Sequence, residues 1–263
     1  MCALEEQDPV MPPEGETPDT QTRLQVAERE VAAANARLQA FMYGVSHDLR
    51  APLRAIDGFA GRLAHELGAQ ASDNAVDALG RIRAATARMA TLVDGMVDMA
   101  RVGGAELRPM RVDVSLLVDW CLAELQDAEP QREVDAMIQP GLEVVGDERL
   151  LKTMLAQLVG NAWRFSASRD KVVLAVEGER TGDVLHLRIS DHGIGFDPAY
   201  AAKLFQPFQR LHGVDDGAGH GLGLAIAAQV AARHGGDITG SAVEGQGATF
   251  EVRLRDLHTE EKT

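Results

Sequence analysis

Residues that could bind a nucleotide cluster at four places in the C-terminal half of the chain. The first is the run DHGIG from Asp191 to Gly195, which follows an alternating strand pattern. A carboxylate at a strand end can accept a hydrogen bond from an exocyclic amine, and glycines let the backbone pass beneath a flat ring. Taken alone, an Asp-Gly pair is also typical of a hairpin turn.

The second cluster consists of four glycines at every second position, which lead directly into a helical pattern that begins at Leu222. They are Gly217, Gly219, Gly221 and Gly223. Free backbone N–H groups and the start of a helix together favour phosphate binding. A glycine-rich loop that merely connects two elements remains the alternative.

The third and fourth clusters could place a metal ion and anchor a loop. Gln157 and Asn161 are four residues apart on a predicted helix and therefore share a face. An amide oxygen can bind Mg²⁺ together with phosphate oxygens, although a capping or solvent-facing Asn is equally compatible with the pattern. The aromatic residues Phe205 and Phe208 could anchor the base of a mobile loop or form an ordinary core turn.

One of the eight histidines has neighbours that suggest a nucleophile. His47 is followed directly by Asp48, and it lies beside the apolar positions Val45 and Leu49 rather than on them. Its imidazole should therefore face solvent. Pro52 predicts a bend close by, because proline removes a backbone donor, yet the apolar pattern continues beyond it.

Two long helical patterns surround His47 and predict an antiparallel hairpin. Apolar residues recur at spacings of three and four from Leu24 to Leu63, a break follows at Gly68 to Asp73, and a second run extends from Leu79 to Met99. These apolar residues form a row along the helices, called the apolar seam below, and a hairpin needs another surface to cover it. We expect pairing with a second copy as a four-helix bundle, and docking on the C-terminal domain is the alternative.

The remaining patterns alternate helices and strands. Helices are predicted at Val114 to Gln126, Asp147 to about Phe165 and Leu222 to His234, between short strands. The predicted fold is multidomain, with a helical hairpin that forms a dimeric four-helix bundle and a two-layer α/β sandwich that binds a nucleotide. The predicted domains are a disordered acidic tail at 1–22, a coiled-coil segment and helical hairpin at 23–104, a linker at 105–109 and a nucleotide-binding domain at 110–263.

Composition limits the partners and the compartment. The net charge of −14 and the lack of a Lys/Arg cluster argue against nucleic acid. Cys2 and Cys121 are too few for a disulfide framework. No export signal and no apolar run of roughly 20 residues is present, so we predict a cytoplasmic protein without membrane insertion.

The chain resembles the sensor histidine kinases in five motifs that occur in the family's order. The sequences of these motifs are most similar to those of the phytochrome-like branch. The segments from Gln157 to Phe165, Asp191 to Gly195, Phe205 to Phe208, Gly219 to Leu224 and Gly245 to Phe250 resemble the family's asparagine box, first glycine box, phenylalanine box, second glycine box and closing glycine motif. The segment from Phe41 to Arg54 resembles the histidine box.

The resemblance implies an activity and a set of site residues. His47 would receive the phosphoryl group from ATP, with Asp48 orienting it, and would pass it to an aspartate on the receiver domain of a response regulator. Asn161 would bind Mg²⁺, with support from Gln157. A homodimer and an upstream sensor domain or sensor protein are also implied. The residues implied to bind ATP are Asn161, Arg164, Phe165, Asp191, Gly193, Gly195, Phe208, Gly219, Gly221, Leu222, Gly223 and Thr249.

Three positions depart from the family pattern. Gln157 stands where Asn is frequent, and His220 stands where a small hydroxyl residue is usual. Ala51 replaces the Thr or Asn that holds a hydrolytic water in relatives with phosphatase activity, so we expect weak phosphatase activity.

Two hypotheses compete with a histidine kinase: a dimeric scaffold that has lost catalysis, and an ATPase of the related gyrase and chaperone superfamily. Retention of the site residues argues against the first, and Gln157 cannot act as the base that the second requires.

Overall fold

The structure, a computed structural model, describes residues 20–68, 71–209 and 221–257. No helix within these ranges combines the length and the hydropathy that crossing a membrane requires. Several predictions lie outside the described residues, namely those for most of the N-terminal tail and for Gly217, Gly219 and His220.

Two long helices form the predicted hairpin. Helix α1 spans Thr20–Leu67 and contains Pro52, and helix α2 spans Asp73–Gly104. Gly68 has a φ of 47°, in the left-handed region where glycine commonly ends a helix. Ser72 caps α2 by accepting a hydrogen bond from the Ala75 amide. The local sequence therefore sets both sides of the break, and the bend at Pro52 stays a prediction.

The two helices pack through small and aliphatic residues at seven-residue spacing. Ser46, Leu53 and Ala60 are the buried positions of α1, and α2 contributes Leu79, Thr86, Val93 and Ala100. This spacing is that of coiled-coil packing. The larger apolar residues of the predicted seam lie on another face of α1 and stay exposed on the single chain: Val31, Leu38, Phe41, Leu49, Ile56, Phe59 and Leu63.

The C-terminal part is a mixed sheet with helices on one face. The strands are β1 (Met110–Asp113), β2 (Glu133–Ile138), β3 (Glu143–Gly146), β4 (Lys171–Thr181), β5 (Val184–Asp191), β6 (Asp237–Val243) and β7 (Gly247–Arg255). Strands β1 and β3 form an antiparallel pair, and the other five form a sheet in the order β2-β4-β5-β7-β6. Only β2 and β4 are parallel neighbours in that sheet. The prediction of a two-layer α/β domain is confirmed.

Three helices cover the inner face of this sheet and enclose the core. They are α3 (Val114–Ala128), α4 (Glu148–Phe165) and α5 (Gly223–Arg233), and a short 3-10 helix, Pro198–Lys203, precedes α5. Alternate residues of β5 point into the core, including Leu185, Leu187 and Ile189, as its alternating pattern predicts. The sheet thereby brings Asp191, the last residue of β5, to the edge of the core beside α4.

Helix α5 joins the two parts of the molecule. Its last residue, Arg233, donates from Nη1 to the carbonyl oxygens of Val102 and Gly103, at 2.6 and 2.8 Å, and from Nη2 to Ala105. These carbonyls end α2, where a cation is favoured by the helix dipole. Arg233 thus links the C-terminal domain to the hairpin by satisfying several helix-end acceptors, and Val102 of α2 packs into the core of that domain.

Candidate active site

Asp191 lies at the bottom of a cavity with one carboxylate oxygen held by the backbone. Its Oδ1 accepts hydrogen bonds from the amides of Gly193, at 2.8 Å, and Ala248, at 3.3 Å. Among the described residues, no hydrogen bond to Oδ2 is present. The residue is only 7% exposed, and this burial raises the pKa of its carboxyl group despite the two amides. The oxygen Oδ2 is therefore the one that a ligand amine can use.

Glycines are required around this carboxylate because two turns approach each other closely. Gly195 has a φ of 66° and lies against the carbonyl oxygen of Val243, and Gly247 lies against that of Asp191. A Cβ atom on Gly193 would come within 2.7 Å of the Phe165 carbonyl oxygen. A side chain at any of these positions would push the turns apart.

The cavity beside Asp191 has a volume of about 80 Å³ and is mostly apolar. Its lining consists of Asn161, Phe165, Asp191, Gly195, Phe196, Leu204, Gln209, Leu224, Ala248 and Phe250. Pockets for whole drug-sized ligands typically reach about 300–1,000 Å³. The cavity is therefore suited to part of a ligand, such as a flat ring that places an amine against Asp191.

Helix α4 supplies the amide predicted to bind a metal. Asn161 is 8% exposed and lines the cavity, and its Oδ1 accepts a hydrogen bond from Arg164 Nη1 at 3.3 Å. The described residues contain no group of three or more His, Cys, Asp and Glu side chains that could hold a metal. One neutral oxygen suits Mg²⁺ that arrives with phosphates and keeps its waters, so the donor set fits that ion.

Gln157 packs at the start of α5 instead of lining the cavity. Its side-chain oxygen lies so close to Gly223 that a Cβ atom there would overlap with it. Gln157 and Gly223 thus bring α4 and the first turn of α5 into contact. A side chain at position 223 would therefore displace the end of the Gln157 side chain.

Several predicted residues frame the site without lining the cavity. Phe208 has a φ of 65°, its amide donates to the Gly221 carbonyl oxygen at 2.8 Å, and its side chain is exposed. This bond brings Phe208 next to Gly221, although the two residues are 13 positions apart in the sequence. Leu222 is fully buried, and the Thr249 hydroxyl is 3.0 Å from that of Ser190.

His47 and Asp48 lie on the hairpin and not in the cavity. Their side chains are 88% and 85% exposed, and His47 Nδ1 is 3.3 Å from Asp48 Oδ1. If Nδ1 carries the proton that Asp48 accepts, Nε2 carries the lone pair and faces outward. The pair therefore has the geometry of a nucleophile oriented by a carboxylate.

The structure thus brings four predicted residues together around one cavity, namely Asn161, Phe165, Asp191 and Gly195. Sequence reasoning missed the apolar walls, although Phe196 directly follows the first glycine cluster. It also missed Arg169, whose guanidinium contacts both glycine turns. No motif marks Arg169, because its partners are backbone carbonyls that any residue could supply.

Two protein families match most of the chain. Residues 146–258 match the family described as histidine kinase-, DNA gyrase B- and HSP90-like ATPase. Residues 37–105 match the His Kinase A (phospho-acceptor) domain. The first match contains the cavity and the second contains His47.

Curated relatives align over both domains. The phytochrome-like protein Cph1 of Synechocystis sp. is 30% identical over 224 residues, which are 84% of this chain and 30% of that protein. The sensor histidine kinase TrcS of Mycobacterium tuberculosis is 31% identical over 227 residues, 84% of this chain and 44% of the relative. The chain thus spans less than half the length of these relatives.

Solved structures share the arrangement. Full-length ShkA in complex with AMPPNP is 25% identical, with a TM-score of 0.58, over 84% of this chain and 47% of ShkA. The histidine kinase AdeS of Acinetobacter baumannii has a TM-score of 0.53 at 21% identity, over 81% of this chain and 98% of its own, and supports the fold alone.

Proposed function

We propose that this chain, which belongs to the sensor histidine kinases, transfers the γ-phosphoryl group of ATP to its own His47. The observation that carries the proposal is an exposed His47–Asp48 pair on the same chain as a cavity with a buried carboxylate at its base. A scaffold would need neither feature.

The cavity residues would bind the nucleotide by its base. Asp191 Oδ2 would accept a hydrogen bond from the adenine amine, and Phe165, Phe196 and Leu224 would enclose the ring. Asn161 would hold Mg²⁺ through its side-chain oxygen. The bound ion would offset charge on the transferring phosphoryl group. The start of α5, whose first residue is Gly223, would favour phosphate oxygens through the positive end of the helix dipole.

The transfer step needs His47 in its neutral form. The Nε2 lone pair attacks the γ-phosphorus in line, a P–N bond forms, and the bond to the β,γ-bridging oxygen breaks as ADP leaves. Asp48 keeps the proton on Nδ1 and stabilises the positive charge that develops on the ring. The ATP-binding domain must approach His47 for this step, since His47 does not line the cavity.

The downstream reaction follows the family pattern. Phosphohistidine would pass its phosphoryl group to an aspartate on the receiver domain of a response regulator. Separately, a second copy of the chain would cover the exposed apolar face of α1. An upstream sensor domain or sensor protein would control the rate. The cytoplasmic location stays a prediction.

Labelling with γ-³²P-ATP and Mg²⁺ tests the proposal. We expect label on the protein that is lost in acid and retained in alkali, as a phosphoramidate requires. His47→Gln should abolish it by removing the acceptor, and Asn161→Ala should reduce it at least tenfold by removing an oxygen ligand at the phosphates, about 1.4 kcal/mol or more.

His65→Gln is the matched control, since His65 is another exposed histidine in the last turn of α1. That variant should be labelled like the unmodified chain. Label that persists in His47→Gln would overturn the assignment of the acceptor, and an unlabelled chain that binds no ATP would overturn the proposed activity itself.

A further inference from the structure

Arg169 lies between α4 and β4, outside every segment that carries the family resemblance. Its Nη2 atom donates hydrogen bonds to the carbonyl oxygens of Gly193, at 3.0 Å, and Gly245, at 2.5 Å. The residue is exposed, so it reaches these carbonyls from the solvent side. An exposed side chain does not contribute to a buried core. The contacts of Arg169 therefore act on the two turns that it connects.

The two turns are also joined at Asp191. One supplies the Gly193 amide and the other leads to the Ala248 amide, and both donate to the same oxygen of Asp191. A backbone hydrogen bond of 2.7 Å from the Gly245 amide to the Ile194 carbonyl adds a third link. The relative position of the turns therefore decides where Asp191 Oδ2 points.

A cation is suited to this position for an electrostatic reason. The Gly193 and Gly245 carbonyl oxygens accept from one guanidinium nitrogen, so their negative ends face each other across it. Without a donor between them the two oxygens would repel each other, which would loosen the contact between the turns. Arginine offers a planar set of donors, whereas lysine offers a compact charge with less directional hydrogen bonding.

We propose that Arg169 is a positioning residue for the base of the nucleotide: it clamps the two glycine turns so that Asp191 selects adenine. This inference rests on the proposed function. Adenine presents an amine where guanine presents a carbonyl oxygen, and a rigid Asp191 accepts from the first and repels the second. A loosened pair of turns binds adenine less well and rejects guanine less strictly.

Nucleotide affinities of the full chain test this role through ADP and GDP titrations. Arg169→Ala should weaken ADP binding about tenfold, since a hydrogen bond to a charged donor is lost at each turn. It should also lower the ratio of the two affinities. Arg169→Lys should recover part of both effects, because lysine keeps the positive charge but not the planar set of donors.

Arg188→Ala is the control, because Arg188 pairs with Glu251 on the solvent face of the sheet, at 2.9 Å. It should leave both affinities unchanged. Equal ADP affinity and equal base selectivity in Arg169→Ala would overturn the proposal. So would a variant whose melting temperature and ADP affinity fall while its selectivity stays constant, which indicates a merely structural role. Failure of the unmodified chain to bind ADP would instead overturn the proposed function.

Discussion

At the scale of single residues, Asp191 combines two properties that make its binding role sensitive to pH. Burial raises the pKa of its carboxyl group, and both backbone amides donate to Oδ1. A proton taken up by this group therefore goes to Oδ2, the oxygen that faces the ligand. The protonated oxygen would present a donor to the adenine amine instead of an acceptor.

We accordingly expect ADP affinity to fall as pH decreases through the raised pKa of Asp191. The loss should begin at a higher pH than the ordinary aspartate value of about 3.9 would give. Calorimetric titration of ADP across a series of pH values measures it. Asp191→Asn cannot titrate, so its weaker affinity should show no such dependence, and a parallel decline in both proteins would contradict the explanation.

Ala51 carries a prediction about the reverse reaction. It is exposed one turn after His47 and has no group that could hold a water molecule. Mixed with a phosphorylated response regulator and ADP, the chain should remove phosphate slowly. Ala51→Thr should accelerate the loss by supplying a hydroxyl, with Ala55→Thr as an exposed control one turn further on. Rapid dephosphorylation by the unmodified chain would refute this prediction.

At the scale of elements, helix α4 depends on a cap that also joins it to the linker. Asp147 is 1% exposed and accepts hydrogen bonds from the amides of Arg149, Leu150 and Arg108. Burial acts to raise its pKa, but the Arg149 guanidinium and these amides outweigh burial and leave the pKa lowered. The cap therefore favours the charged form.

Asp147→Ala should lower the free energy of unfolding by about 2 kcal/mol, because three backbone donors lose their acceptor. Urea denaturation followed by circular dichroism measures the change. The contribution should be complete above the unfolded aspartate pKa of about 3.9 and should be lost as pH falls through the lower folded pKa.

Asp197→Ala is the matched comparison, since Asp197 caps only the short 3-10 helix through the Ala199 amide. It should cost less than half as much as Asp147→Ala. If both variants lose the same free energy of unfolding, the cap of α4 stabilises the fold no more than the cap of the short 3-10 helix does.

The elements also show how far the sequence could predict the structure. Periodicity predicted the helices and most of the strands, because an element with one apolar face leaves a regular pattern, and alternation predicted a strand directly before Asp191. Strand β1 was not predicted, because its four residues are too few to show a pattern. The contact between α1 and α2 could not be predicted in the same way. Its positions include Ser46 and Ala60, which hydropathy does not mark as core.

The candidate site shows the same limit. Asp191 and Asn161 could be predicted from their residue types and positions, and the apolar walls could not be told from ordinary core. Arg169 and Arg233 act on backbone carbonyls distant in sequence, so neither spacing nor composition reveals them. Contacts of this kind become visible only when the fold brings the segments together.

At the scale of the whole molecule, the exposed seam of α1 is the feature that a single chain leaves uncovered. Ile56 is 45% exposed and Phe59 is 64% exposed, on a helix already packed against α2 through another face. Aliphatic and aromatic residues repeated along one face favour association with another helix pair. A second copy of the chain would bury this face in a four-helix bundle.

Ile56→Asp should therefore convert a dimer into a monomer, since a charge would be buried without a partner. Sedimentation velocity over a range of protein concentrations measures the shift. Arg54→Asp is the control, because it places the same charge two residues away, about 200° around the helix, where the side chain is also exposed. A monomeric unmodified chain, or dissociation by both variants alike, would contradict this assignment of the interface.

The proposed kinase activity of the whole molecule requires that the phosphoryl group is attached to His47. Mass spectrometry of peptides prepared in alkali, after incubation of the chain with ATP and Mg²⁺, answers this most directly. We predict one phosphorylated peptide, with the added mass on the imidazole of His47. A phosphoryl group on another histidine, or on a serine, threonine or aspartate while His47 stays unmodified, would contradict the central claim.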